Sequence, residues 1–187
     1  SIPIIASLNC ITAKWWADYT TQIAAAGADG LELNIAVMPS DPMRKSERIE
    51  RLYVDILGEV SSRTKLPIAI KMHPYFTNLA RMAEQLCRRG AAALVFFNRF
   101  YQLDVDIQTM KLKAGSRFSS PQEVYTPLRW VMLLADRIQC DLAASTGIHD
   151  TEAVIKHLLA GATITQLCST LYLNDLDRIE TMREDLR

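Results

Sequence analysis

A chain of 187 residues is long enough to bury one substantial core, and it fits a single domain spanning residues 1–187. Lys plus Arg and Asp plus Glu stand at 21 each, and no like-charge run is long enough to make a nucleic-acid or membrane patch. The partner that remains is a small molecule.

Short apolar runs alternate along the chain with longer segments of helical period. "IPIIASL" (2–8) predicts a first strand and Trp15–Ala26 a helix. "GLELNIA" (30–36) predicts the second strand, followed by a helix over Ser46–Arg63. "PIAIKM" (67–72) is followed by a helix over Asn78–Arg89, and "ALVFFN" (93–98) by a long link, Arg99 to Ser119. Within that link the alternation of "DVDIQTMKL" predicts a small antiparallel strand or hairpin outside the main sheet. A helix over Pro121–Arg137, the strand "CDLAAS" (140–145), a helix over Thr151–Ala160, the strand "TITQLCS" (163–169) and a helix from Leu176 onward complete the series. Most of these strands are apolar nearly throughout, as parallel strands covered on both faces are. In "AAAGADGLEL", "CRRGAAALVFF" and "LLAGATITQL" a Gly follows the helix as a left-handed cap and a strand starts soon after.

Six βα units suit either a doubly wound sheet or a closed barrel. The phosphate signature of the former, GxGxxG or GxxxxGK after the first strand, is missing. A (β/α)8 barrel needs eight units, so the expected architecture is a TIM-type barrel with its first two units absent from this chain. Cys10, Cys87, Cys140 and Cys168 sit singly in apolar segments without a CxxC pair, and His73, His149 and His157 form no HExxH. The pattern reads as reduced, cytoplasmic and metal-free, with Cys10, Cys87 and Cys140 serving as small hydrophobes. No apolar run approaches the roughly 18–20 residues of a membrane span, and no signal-peptide order opens the chain.

In a barrel the chemistry belongs at the carboxyl ends of the strands. Those ends carry Asn9, Asn34, Lys71 with His73, Asn98 with Arg99, Ser145-Thr146-Gly147 and Cys168-Ser169. Amides, one lysine and small residues closing the last two units suit a planar heterocycle with a phosphate, the latter held by backbone N–H groups after "STG" and "CS".

These residues carry a resemblance. Through "PIIASL", "GADGLELN", "AIKMHP", "VFFNR", "LRW" and "STGIHDTEAVIKHLLAGATITQLCSTLY", the chain resembles the soluble, flavin-dependent dihydroorotate dehydrogenases and the dihydroorotate-dehydrogenase-like proteins, with the N-terminal segment missing. The resemblance implies FMN as cofactor and oxidation of dihydroorotate to orotate in pyrimidine biosynthesis. It matches Asn34 to an amide touching flavin and substrate, Lys71 to the lysine beside the flavin ring, and Asn98 to an amide that binds the pyrimidine. Thr146, Gly147, Cys168 and Ser169 fall on the flavin-phosphate site, though the family has more Gly at the first position and Gly-Thr in place of Cys168-Ser169. The family's catalytic base, Cys or Ser, matches Val37, which cannot accept a proton; Ser40 is three residues out of register.

Plainer readings stand beside these. Asn34 and Asn98 would cap or tie loops, Thr146-Gly147 would be an ordinary turn, and His73 would be a rim residue. His157 would sit at the surface or pack, and Trp15, Trp16 and Trp130 would pack or form an interface. Lys71, a charge at the end of a buried strand, requires a partner or a ligand. Three functions follow: a flavin oxidoreductase of this type, a Schiff-base aldolase or lyase using Lys71, and a catalytically silent relative. A homodimer is compatible with each.

Overall fold

The computed structural model describes residues 2–9 and 13–187; Cys10 lies outside them. Six parallel strands form one sheet: β1 (Ile5–Leu8), β2 (Gly30–Asn34), β3 (Ile68–Lys71), β4 (Ala93–Phe96), β7 (Asp141–Ser145) and β8 (Ile164–Gln166). They neighbour one another in chain order, with β5 (Leu103–Asp106) and β6 (Lys111–Ala114) set apart as a separate antiparallel hairpin. Between the strands run α1 (Ala13–Ala25), α2 (Ser46–Ser61), α3 (Leu79–Arg88), α4 (Tyr125–Leu134) and α5 (Thr151–Leu159). Consecutive parallel neighbours with a crossover helix at each main-sheet step, and no reversal of strand order, are the wall of a barrel and not a doubly wound sheet. The curl is visible in the side chains. Glu32 on β2 is hydrogen-bonded to Gln166 on β8, although three strands separate the two in the sheet. The fold is therefore an α/β, incomplete (β/α)8-type barrel, as the alternation of elements leads one to expect.

The helices cover the outer wall by simple periodicity. In α2 the buried residues are Ile49, Tyr53, Ile56, Leu57 and Val60, one stripe along the helix. In α3 they are Leu79, Met82, Ala83 and Leu86, with the Asn78 side chain capping the first turn by accepting from the Arg81 N–H. These stripes meet Leu31, Leu33, Ile68, Ile70, Leu94 and Phe96 of the sheet in one core. Gly27, Gly90 and Gly161 end three helices at φ +90°, +96° and +104°. After each, the next N–H bonds back five residues, from Ala28 to Ile23, Ala91 to Leu86 and Ala162 to His157, which turns the chain straight into a strand.

Several expectations are corrected. The strands are shorter than their apolar runs, because the runs continue into rim loops that also enter the core, as Ile35, Met72 and Phe97 do. The first and last strands are not covered on both faces: Ile5 is 54% and Ile164 47% exposed, and β1 and β8 are the edges of the sheet among the described residues. The segment expected as one helix from Pro121 is a 3-10 turn, Pro121–Val124, closed by a reciprocal Ser120–Glu123 capping box and followed by α4. "TITQLCS" stops as a strand at Gln166, and Ser169 opens a short helix, α6 (Ser169–Asn174), before α7 (Asp177–Asp185). Cys87 and Cys140 are not separate thiols but a disulfide, Cα atoms 5.5 Å apart. The end of α3 and the start of β7 meet there, because α3 leads into β4 and β4 is the neighbour of β7. Trp16 is buried, while Trp15 is exposed and stacks on Tyr19. No helix among the described residues is long and apolar enough to cross a membrane.

Candidate functional site

The carboxyl ends of β3, β4, β7 and β8 surround a cavity of about 250 Å³. Lys71, Asn98, Thr146, Gly147, Cys168 and Ser169 all line it, so six of the seven predicted site residues converge from four strands. The seventh, Asn34, is beside Lys71 in the sheet register but not in the cavity wall. Its Oδ1 is buried without a hydrogen-bond partner among the described residues.

Lys71 does not project into the cavity as a lone cation. Its Nζ lies 3.3 Å from Glu32 Oε1 and donates to Gln166 Oε1 at 2.8 Å. Ser7 Oγ donates to the same Glu32 oxygen at 2.8 Å, and Gln166 Nε2 donates to the other. Four strands thus meet in one satisfied polar network around a carboxylate whose side chain is 5% exposed. The sequence marked Lys71 as needing a partner; it left Glu32 without a role and passed over Gln166 and Ser7. The signal for Gln166 was its place on β8, two residues beyond Ile164, which is level with Lys71 across the sheet, so that Gln166 lies on the same face.

The far end of the cavity is built by Ser119, another residue that sequence reasoning missed. Its N–H donates to Ser169 Oγ at 2.9 Å, its hydroxyl accepts from the Gly147 N–H at 3.4 Å, and the same hydroxyl pairs with His149 Nε2 at 3.1 Å. One serine therefore ties the two small-residue loops together. Thr146 sits at φ +83°, a backbone region costly for a β-branched residue, with its hydroxyl bonded to the Phe97 carbonyl. Gly147, at φ +77°, is demanded by packing as well: a Cβ there would lie 2.2 Å from the Val124 nitrogen. Arg99 anchors the wall by donating to Glu123 at 2.8 Å and to the Ser116 carbonyl at 3.0 Å. Arg117 also lines the cavity and makes no ion pair among the described residues, so the site faces a ligand with a surplus of positive charge.

His73 is not a rim residue. It is 1% exposed, stacks on Phe76 at 4.4 Å, meets Tyr53 edge-on and accepts the Tyr75 N–H on Nδ1 at 3.0 Å. Burial pushes its imidazole down to about 4. His157 is likewise buried, with burial lowering its pKa, and its Nδ1 donates to the Ala153 carbonyl. Val37 is half-buried and packed against the core, while Met38 lines a second hollow of about 340 Å³ that shares Asn98, Arg99 and Thr146 with the first. Ser40 is exposed and lines neither hollow.

Fold and site define an incomplete (β/α)8-type barrel with a cationic, amide-bearing cavity at the carboxyl ends of its strands. The model of the family described as dihydroorotate dehydrogenase matches residues 1–187, and the chain belongs to that family. Among curated proteins it is 29% identical over 171 residues to the dihydroorotate dehydrogenase B (NAD(+)) catalytic subunit of Saccharolobus solfataricus, covering 89% of this chain and 57% of that protein. It is 28% identical over 162 residues to the protein of the same name from Thermodesulfovibrio yellowstonii, with 82% and 52% covered. With dihydroorotate dehydrogenase A (fumarate) of Limosilactobacillus reuteri the figures are 25% over 179 residues, 89% and 56%. The chain thus spans little more than half the length of these relatives.

Proposed function

We propose that the protein bearing this chain is an FMN-dependent oxidoreductase of the dihydroorotate dehydrogenase type whose usual base position is silent. The observation that carries the reading is the convergence of Lys71, Asn98, Thr146, Gly147, Cys168 and Ser169 on one cavity beside an unpartnered amide oxygen, Asn34 Oδ1. The residues suit a flavin: amides for a ring carrying both donors and acceptors, a cation beside it, and small residues with Arg117 at the end that would face a phosphate. FMN would supply hydride acceptance. Asn34 would take a ring or substrate N–H on its free oxygen, and Asn98 would orient the pyrimidine. Lys71, held by Glu32 and Gln166, would stand at a fixed point beside the ring, where a preorganised cation favours developing negative charge. Because Glu32 already balances that charge, its help is moderated. Ser119 would set the spacing of the two loops at the phosphate end.

At the position matched to the family's base stands Val37, followed by Met38, and neither can take a proton from dihydroorotate. A positioned general base is typically worth about 10²- to 10⁴-fold, so reduction of bound flavin by dihydroorotate in the full-length protein is expected to be slow and to rise with added imidazole or formate. Fast reduction, indifferent to added base, would show that another group supplies it. The Schiff-base alternative is disfavoured by the Glu32–Lys71 pair, because a buried carboxylate pairs with the ammonium and not with the free amine that attacks a carbonyl.

A further inference from the structure

The second hollow, about 340 Å³, adjoins the first: Phe97, Asn98, Arg99 and Thr146 stand on the wall that the two share. The chemistry changes across that wall. On one side lie Lys71 and Arg117, and on the other three rings, Tyr75, Phe100 and Tyr101, with Pro74 and Pro127. Two of the rings are fixed from behind. Tyr75 and Phe100 are 5.7 Å apart and lie 5.6 and 5.7 Å from the His73 imidazole, which stacks in turn on Phe76. His73 Nδ1 also accepts the Tyr75 N–H, and burial keeps that imidazole neutral, so it sets no charge behind the rings. Tyr75, 53% exposed, and Tyr101, 68% exposed, leave ring surface open. The charged residues on this wall among the described ones are Arg99 and Glu123, and they pair with each other at 2.8 Å.

We propose that this hollow takes an uncharged aromatic ring carried by the substrate, so that the molecule handled at the neighbouring cavity is a neutral cyclic amide bearing an aryl arm. Its role as substrate rests on the flavin reading above; the aryl site itself does not. The hollow falls at the small end of the roughly 300–1,000 Å³ of ligand pockets, whose usual lining is likewise apolar and aromatic with a few convergent polar groups. Edge-to-face and offset contacts with Tyr75, Phe100 and Tyr101 favour an aromatic group beyond the gain from buried area alone. Because Tyr75 and Phe100 are fixed before a ligand arrives, little ordering cost falls on binding. Charge selects in the same direction. A carboxylate placed here would give up its hydration for an Arg99 already balanced by Glu123. A compact anion such as dihydroorotate therefore gains nothing from the hollow. Asn98, on the shared wall, offers the donor and the acceptor that a ring amide needs, which sets the point where the cyclic amide ends and the arm begins.

The probes are uracil, 5-benzyluracil and orotate, titrated calorimetrically into the full-length protein with and without added FMN. 5-Benzyluracil is expected to bind at least roughly 10-fold tighter than either of the others. Tyr101→Ala, at an exposed position, is expected to remove most of that advantage, leaving uracil affinity and the circular dichroism spectrum unchanged. Thr126→Trp, which fills the hollow from α4, is expected to abolish the advantage outright. A 5-benzyluracil affinity no better than that of uracil, tightest binding of orotate, or an advantage that survives both substitutions overturns the proposal. Its failure is separable from that of the flavin reading. FMN retained without any preference for the aryl arm removes this proposal alone, whereas the preference without FMN binding upholds the aryl site and removes the flavin reading.

Discussion

Lys71 and Glu32 show how one strand-end charge is tolerated inside a barrel. The ammonium has Glu32 and Gln166, the carboxylate has Lys71, Ser7 and Gln166, and each loses more from a missing partner than from a missing pair. Lys71→Met or Glu32→Gln alone is expected to cost about 2–4 kcal/mol, while the double variant costs clearly less than the sum. Urea unfolding of the three variants measures this, and additive costs would refute the coupling. His73 makes a second prediction. Burial takes its imidazole from the ordinary 6.5 down to about 4, so between those values the unfolded chain holds a proton that the folded one refuses. Stability is fully present above about pH 6.5 and falls as the pH drops toward 4. The fall should be shallower in His73→Gln, measured by unfolding at pH 7 and pH 5; parallel losses would remove His73 from the account. Lys71 was legible in the sequence because a charge in an apolar strand demands an explanation. Ser119 was not, because it lies in an irregular link and its partners, Gly147, His149 and Ser169, come from distant parts of the chain.

At the level of elements, the helix-to-strand joints were readable because one chemical device, a glycine in the left-handed region, is required wherever a helix ends and a strand begins at once. Gly147 looks the same by dihedral angle but is held for an additional reason. At Gly27 a Cβ would meet nothing within 4 Å, whereas at Gly147 it would strike the Glu123–Val124 backbone. Gly27→Ala is therefore expected to cost about 1–2 kcal/mol, the left-handed penalty alone, and Gly147→Ala distinctly more, with displacement of the 3-10 turn. Equal costs in thermal unfolding would mean that the turn yields freely. Element ends were over-read where an apolar run passes from sheet to rim without a change of composition, as at Phe97. The Cys87–Cys140 pairing was hidden because 53 residues separate the two, and only the adjacency of β4 and β7 brings them together.

For the whole molecule, the barrel class was fixed by sequential βα units and confirmed by an unreversed strand order. β1 and β8 are the edges of the sheet among the described residues, and the chain spans little more than half the length of each relative. If this barrel end holds a flavin mononucleotide, as proposed, the flavin content of the protein bearing this chain shows it. After purification and incubation with excess FMN, followed by desalting and release of bound flavin, the expected result is close to one FMN per chain, with Gly147→Ala retaining far less. A protein that neither retains nor takes up FMN would contradict the account.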